Sequence, residues 1–294
     1  MRTRFAPSPT GPLHLGHAYS ALLAYDMALA AGGDFLLRIE DIDQSRARPE
    51  WEAQIYEDLA WLQIWWPKPV MRQSKQMQRY KNVISQLWKS DALFACSCNR
   101  RDIIDATNAP QEGQSPLSGP DGLIYPGTCR ANGSSSGVMQ IPQDSALRLN
   151  MSYIANAYST PRLGGNVFSF YETGSGPNGE TGLIEFSAEH AINNIGDIVL
   201  SRRDMGTSYH LSVVLDDAEQ KITHVIRGND LFEATKIHVI LQRLLGLPTP
   251  TYHHHALIRD EAGKRLAKRD DARAIAKYRD DGLTPADIRK MVGL

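Results

Sequence analysis

Apolar residues in this chain fall into runs whose spacing changes several times along its length. Thr3 to Ala6 is a short apolar run stopped by Pro7 and Pro9, which predicts a brief strand. From about Leu15 to Ala31 apolar and small residues occupy nearly every face, the pattern of a buried helix, and the glycines of "GGD" end it. "FLLRIED" then reads as a continuous-apolar strand covered on both faces. Strand, helix and strand within about forty residues predict a βαβ unit, hence a parallel sheet with a right-handed crossover. Residues 50–66 and 74–90 carry helical, amphipathic spacing with Trp and Leu on the inner faces.

The pattern then loosens. From Cys96 to about Gly182 the chain is rich in Gly, Ser, Pro and Asn, with short strand-like pieces such as "ALRLN" and "VFSFYE". This stretch reads as an insertion, not as a continuation of the sheet. Apolar runs resume in "DIVLSRRD", "SYHLSVVLDD" and "ITHVIRGNDL", followed by a helix from about Phe232 to Leu245 and a strand, "TYHHHALI". "EAGKRLAKRDDARA" is a charged loop entering a helix. In "LTPADIRKMVGL", Thr284 as N-cap, Pro285 at the first turn and Asp287 three residues on predict a capped final helix. The division expected is 1–90 and 196–250 as two halves of a nucleotide-binding domain, 91–195 as an inserted subdomain, and 251–294 as a C-terminal segment.

Composition narrows the function classes. With 294 residues, 42% hydrophobic and 22% charged, the chain has the makings of an ordinary globular protein. Its formal net charge of −1 gives no global field for nucleic acid, so an RNA partner must meet a local basic patch. Arg100, Arg101, Arg130, Arg202 and Arg203 are candidates, each also readable as a solvated surface charge. No apolar run reaches membrane-spanning length, and "MRTRFAPSP" lacks the apolar core of a signal peptide. Three cysteines, an odd number, argue for a reducing compartment, so a cytoplasmic location is expected.

The densest chemistry lies in "RFAPSPTGPLHLGH", Arg4 to His17. A strand turning sharply into a helix presents the helix N-terminus at the carboxyl edge of a parallel sheet, a natural anion site. Gly11 and Gly16 allow close approach of the backbone to a nucleotide. Leu13 and Leu15 alternate with His14 and His17, so the leucines can pack while imidazole N–H groups face a phosphate. A bare HxGH would be as readily a corner with two incidental histidines; the fourteen-residue string is harder to explain that way. "GSGPNGETG", 174 to 182, lacks the GK[ST] ending of a phosphate loop and reads as a hairpin or a mobile loop. The histidines at 253 to 255 alternate across a strand and cannot all converge on one ion, so they read as structural or as neighbours of the nucleotide pocket.

That opening string resembles the first signature of class I aminoacyl-tRNA synthetases of the glutamate type. "LRIEDID", "RRD", "VVLDD", "VIRGNDL" and "RLAKR" follow in the order of that family. The resemblance implies an α/β fold, a Rossmann-like parallel sheet bearing an inserted zinc-binding subdomain and a short C-terminal helical segment. It implies ATP, with Mg²⁺, and L-glutamate as substrates. Arg4 and Arg227 would offer forks to the substrate carboxylates, Glu40 would pair with the ammonium, and Tyr209 would place its hydroxyl beside it. Phe5, Ala6, Pro7 and Ser8 would line the same wall. His14, Gly16, His17 and Lys268 would hold ATP, with His14, His17 and Lys268 acting on the phosphates. The family's Lys-Leu-Ser-Lys loop is here Arg265-Leu266-Ala267-Lys268, which keeps one lysine and loses the serine hydroxyl.

Cys96-Ser97-Cys98 and Cys129 supply three thiols, which are either a metal site or inert free cysteines. No histidine stands two residues past Cys129, where many glutamate-type relatives have one; that place is Ala131. The stand-alone branch, the glutamyl-Q tRNA(Asp) synthetase family, is more similar. It implies a structural Zn²⁺, one per chain, held by Cys96, Cys98, Tyr125 and Cys129. It also implies that the partner is the anticodon stem-loop of tRNA-Asp, that no anticodon-binding domain is needed, and that the protein is a monomer. Two rivals remain at this point: a truncated glutamyl-tRNA synthetase charging an acceptor end, and a catalytically weakened paralogue that only binds nucleotide or RNA. A small-molecule nucleotidylyltransferase would share HxGH but has no reason to carry "RIEDID".

Overall fold

The computed structural model describes residues 1–108, 117–130, 140–157, 165–258 and 273–294. In chain order the first half comprises β1 (Arg2–Phe5), α1 (Leu15–Ala30), β2 (Asp34–Ile39), α2 (Pro49–Trp61), β3 (Met71–Arg72), α3 (Met77–Lys89), β4 (Leu93–Cys96) and α4 (Arg100–Asn108). The middle supplies β5 (Ser118–Gly119), β6 (Gly122–Leu123), β7 (Ala146–Leu149), α5 (Met151–Ala157), β8 (Val167–Glu172), β9 (Gly182–Ser187) and α6 (Ala188–His190). Then come β10 (Val199–Ser201), α7 (Tyr209–Glu219), β11 (His224–Gly228), α8 (Phe232–Leu244), β12 (Thr251–His255), α9 (Ile275–Asp280) and α10 (Pro285–Val292).

β1 pairs in parallel with β2, and β2 with β3. β11 pairs in parallel with β12, and β12 with β8. The two sets meet where Thr223 N donates to Arg2 O at 3.0 Å and Arg2 N donates to Thr223 Oγ1 at 2.8 Å. The expected βαβ start is therefore present, and β1 and β11 stand side by side at the middle of the layer. Their carboxyl ends deliver Arg4 and Arg227 to the same edge, which is where ligands bind in open α/β sheets.

The middle segment corrects one expectation. "VFSFYE" lies inside the stretch read as standing apart from the sheet, yet β8 joins it beside β12 and brings β9 as an antiparallel neighbour. The reason is tertiary. Phe168 and Phe170 alternate inward, and Phe170 packs against Phe232 of α8, so the strand finds its burial far along the chain. The glycine-rich turn between β8 and β9 is a hairpin loop. A Cβ at Gly174 would fall 2.2 Å from His254 O, so only glycine lets this turn lie against β12. Separately, β4, β7 and β10 form a small antiparallel sheet.

α1 is buried through Ala18, Ala21, Leu22, Ala24 and Ala28, small residues that let it lie close across β1 and β2. α10 covers its other side, with Arg289 gripping both oxygens of Asp26 at 2.6 and 3.0 Å. Thr284 and Asp287 cap α10 reciprocally, as the sequence leads one to expect.

Candidate functional site

His14 caps α1: its Nδ1 accepts from Gly16 N at 3.2 Å, while His17 Nδ1 accepts from His14 N at 3.2 Å. A ring nitrogen that accepts carries no hydrogen, so both imidazoles hold their proton on Nε2. The rings lie 3.8 Å apart, with Leu13 and Leu15 packed behind them in the core. Two N–H donors are thus prepositioned at the N-terminus of a sixteen-residue helix, where its dipole also favours an anion.

A cavity of about 390 Å³ opens beside them. Arg4, Phe5, Ala6, His14, Gly16, His17, Glu40, Tyr209 and Arg227 all line it. Pro7 and Ser8 are not among its lining residues, although Pro7 O accepts from Glu40 N at 3.0 Å and so helps set that residue. Lys268 and the rest of "RLAKR" lie outside the described residues.

The charges on this wall are tied together. Arg4 Nε donates to Asp217 Oδ1 at 3.1 Å and its Nη2 to Oδ2 at 3.4 Å. Arg38 bridges, giving Nη1 to Asp217 Oδ1 at 2.7 Å and Nη2 to Glu40 Oε1 at 3.0 Å. Burial alone would favour protonated Asp217; the two guanidinium groups outweigh it and hold the carboxyl below its ordinary range. For Glu40 the balance goes the other way, since burial raises it more than Arg38 and Arg4 lower it. An ammonium arriving beside Glu40 would favour its charged form.

Sequence reasoning placed Arg4 and Glu40 but missed Arg38 and Asp217, which hold them. The signal was available: Asp217 ends an apolar helical run, and a carboxylate buried there needs a cationic partner. It also missed Ser20, which shares the cavity wall with His255, 2.7 Å away, one of the three histidines read as structural or as pocket neighbours. The three consecutive histidines go separate ways: His253 meets Thr173, His254 meets Glu172, and His255 meets Ser20.

A second cavity, about 740 Å³, adjoins the first, and Tyr209 lines both. Arg100, Arg202 and Arg203 stand on its wall, as do Asp121 and His210. Of the other basic candidates, Arg130 is committed to Asp197 at 2.7 Å, and Arg101 reaches out toward Asp105.

At the end of β4, the sulfurs of Cys96, Cys98 and Cys129 lie within 4.8 Å of one another. Tyr125 Oη is 3.5 Å from Cys96 Sγ and 3.6 Å from Cys98 Sγ, and Cys98 and Cys129 are 3.5 Å apart. A tetrahedral zinc with sulfur at about 2.3 Å has ligand–ligand edges of roughly 3.5–3.8 Å; the Tyr125–Cys96, Tyr125–Cys98 and Cys98–Cys129 separations have that size, and the donor types suit that ion. Burial opposes ionisation of Cys129, but hydrogen bonds from Tyr125, Ser97 and the other thiols outweigh it and bring the thiol down to about 6. Burial first, then its sulfur neighbours, pushes Cys98 up to about 11.

Comparison with known proteins agrees with this geometry. A family model described as the catalytic domain of class I tRNA synthetases (E and Q) matches residues 1–118 and 179–294. The chain is 58% identical over its full 294 residues, and over the full length of the relative, to a protein of Rhodobacter capsulatus named glutamyl-Q tRNA(Asp) synthetase. It is 36% identical over 97% of its length to glutamate–tRNA ligase 2 of Coxiella burnetii, of which it spans 54%. A crystal structure of a glutamate tRNA ligase from Elizabethkingia meningosepticum, in complex with its amino acid, superposes with a TM-score of 0.74 at 28% identity; the chain covers 60% of it. No helix among the described residues is long and apolar enough to cross a membrane. The chain belongs to the class I tRNA synthetases of the glutamate and glutamine type, through their catalytic domain.

Proposed function

We propose that this protein activates L-glutamate with ATP and transfers the glutamyl group to a ring hydroxyl of queuosine at the wobble position of tRNA-Asp. The observation that carries the reading is the convergence of Arg4, Glu40, Tyr209 and Arg227 with His14 and His17 on one cavity. The full-length similarity to a protein named for this reaction supports the choice of RNA.

In the first step an oxygen of the glutamate α-carboxylate attacks the α-phosphorus, and the bond to pyrophosphate breaks. The Nε2–H groups of His14 and His17 donate to phosphate oxygens, whose charge they stabilise without becoming nucleophiles. Arg4 keeps an Nη edge free of Asp217, and with Arg227 it receives the substrate carboxylates while Glu40 takes the ammonium. An arginine facing the side-chain carboxylate disfavours glutamine, whose amide cannot accept two charge-assisted bonds. Lys268 completes the phosphate contacts, and Mg²⁺ enters with ATP. In the second step the hydroxyl attacks the acyl carbon and AMP leaves. The larger cavity, with Arg100, Arg202 and Arg203 on its wall and Tyr209 at its junction, suits an anticodon stem-loop presenting that hydroxyl.

Cys96, Cys98, Tyr125 and Cys129 would hold a structural zinc ion that fixes the loop following β4. The protein works as a cytoplasmic monomer. Residues 1–90 and 196–250 supply the nucleotide-binding halves, joined by β8 and β9 from the 91–195 stretch and by β12 from 251–294.

Labelled glutamate offered with ATP to tRNA-Asp, with and without queuosine, and to tRNA-Glu tests the reading. Label on queuosine-bearing tRNA-Asp alone is the expected result. Label on tRNA-Glu would assign acceptor-end charging instead, and no glutamate-dependent ATP–pyrophosphate exchange would reduce the protein to a binder.

A further inference from the structure

Arg227 reaches the smaller cavity with neutral groups, not a carboxylate, against its guanidinium among the described residues. Nε donates to His254 Nε2 at 3.3 Å, Nη1 to His238 Nδ1 at 3.2 Å, and Nη2 to Thr235 Oγ1. A guanidinium has only donors, so Nδ1 of His238 must be the accepting nitrogen and its proton must sit on Nε2. That proton faces Nδ1 of His210, 3.1 Å away, which must accept in turn. The proton of His210 is thereby placed on Nε2, 3.2 Å from Asp121 Oδ1. One property of arginine thus assigns both tautomers and gives the chain a direction, from Arg227 through His238 and His210 to Asp121.

The two ends lie in different places. His238 and His210 are buried, at 2% and 6% exposure, whereas the Asp121 side chain is 43% exposed on the wall of the larger cavity. Burial first, then the charge of Arg227, keeps His238 well below the usual histidine range, consistent with a neutral relay. Asp121 also lies in the stretch, 119–178, that the family model does not match, whereas the other three residues lie within the match. A segment outside the family's matched core is therefore hydrogen-bonded, through two histidines, to an arginine within it.

We propose that His238 and His210 are positioning residues for Arg227, anchored by Asp121, so that the wall of the RNA-facing cavity sets the orientation of the amino-acid fork. The inference rests on reading Arg227 as the glutamate fork. Three contacts fix the guanidinium plane and leave the second hydrogens of Nη1 and Nη2 for a carboxylate. Any change at Asp121 reaches those hydrogens through bonds whose donors and acceptors are already assigned.

Glutamate-dependent ATP–pyrophosphate exchange without RNA tests it. The wild-type protein must first show exchange; if it does not, the functional reading fails and this inference falls with it. Given exchange, His238→Leu is expected to raise KM for glutamate roughly tenfold, with a much smaller change in kcat, as for one lost hydrogen bond to a charged group. His238→Gln, which keeps an acceptor and a donor, recovers most of that loss. Asp121→Ala, at a half-exposed position where folding is not at stake, raises KM about two- to threefold, the loss of a more remote support. Nitrogen-15 spectra of the imidazoles should show both protons on Nε2. An unchanged KM in Asp121→Ala, a glutamine variant no better than the leucine one, or a proton on Nδ1 of either ring would overturn the proposal. If His238→Leu does not fold, the glutamine and Asp121 variants decide.

Discussion

Around Arg4 and Arg227 polar atoms are held by strands, helices and a buried lattice of opposite charges; around Tyr125, among the described residues, they are held by a much smaller core. The amino-acid cavity draws on β1, β2, α7 and β11, each rooted in an extensive apolar core. Among the described residues the thiol cluster rests on a core of Phe94, Cys96 and Tyr125, with Cys98, Ile103 and Cys129 partly buried against it. The Arg148 guanidinium, 4.0 Å from the Tyr125 ring, adds a lid rather than a core. The difference separates two ways of fixing geometry. Where much apolar surface is buried, the fold itself holds charged groups ready for substrate; where the described core is small, a bound ion would add a cross-link that packing there does not provide.

The sharpest break of the pocket is Arg227→Met, which keeps the aliphatic stem and removes the fork. Losing two charge-assisted hydrogen bonds to a carboxylate should lower kcat/KM for glutamate on the order of a hundredfold to a thousandfold in pyrophosphate exchange. Thermal unfolding should shift far less, since His238, His254 and Thr235 are neutral partners and leave no buried charge behind. An exchange rate within a few-fold of wild type would remove Arg227 from the site.

Asp217→Asn strikes the same region through stability. It leaves Arg4 and Arg38 without their shared carboxylate, and breaking a buried pair from one side costs about 3 kcal/mol. The sign with pH follows from the depressed pKa of Asp217. Its contribution is full above the ordinary aspartate value and is lost as pH falls through the lowered, folded one. Urea unfolding should therefore show the variant far less stable than wild type at neutral pH, with the gap closing at low pH. A gap that stayed constant would mean that Asp217 does not carry the charge assigned to it.

What could be read from the chain, and what could not, follows the same division. Arg4, Glu40 and Arg227 were reached through resemblance, on motifs that end apolar strands; taken singly, each reads equally as a structural ion pair. The cap of α10 was legible because a cap is settled by three or four neighbouring residues; that His14 and His17 also cap α1 came from the structure. Asp217 joins Arg4 across 213 residues of sequence, and nothing local to either announces the partner. β8 was recognised as strand-like but assigned outside the sheet, because its place beside β12 depends on Phe170 meeting Phe232. Tyr125 was reached through resemblance, not spacing: a tyrosine four residues before a cysteine has no metal-binding pattern of its own. His238 carried no signal, being one buried polar residue on a helix otherwise rich in core positions.

The thiol cluster gives the comparison its second arm. Removing the metal by chelation, or Cys96→Ser, should leave glutamate-dependent exchange within a few-fold, because the smaller cavity shares no residue with the cluster. Transfer to RNA should fall at least about tenfold, since Cys98 and Arg148 line the larger cavity and lose their support when an under-packed site is stripped of its ion. Metal analysis of the purified protein should return one zinc per chain. Exchange and transfer falling together would mean that the two regions are not independent.

The smallest effect expected comes from a place that belongs to neither region. Thr284 Oγ1 accepts from Asp287 N at 3.2 Å, and Thr284 N donates to Asp287 Oδ2 at 2.8 Å, so α10 begins with both donors satisfied. Thr284→Ala should cost about 1 kcal/mol, the usual worth of such a cap. α10 packs on α1, and α1 carries His14 and His17, so this helix supports the nucleotide wall from behind. If the cavity is held by its core and its charge lattice, a loss of this size lowers the unfolding midpoint while KM for ATP and for glutamate stay where they were. A rise in KM for ATP alone would show that the two histidines depend on the seating of α1 as well as on their reciprocal caps, and the rigidity credited to the core would have to be shared with the last helix of the chain.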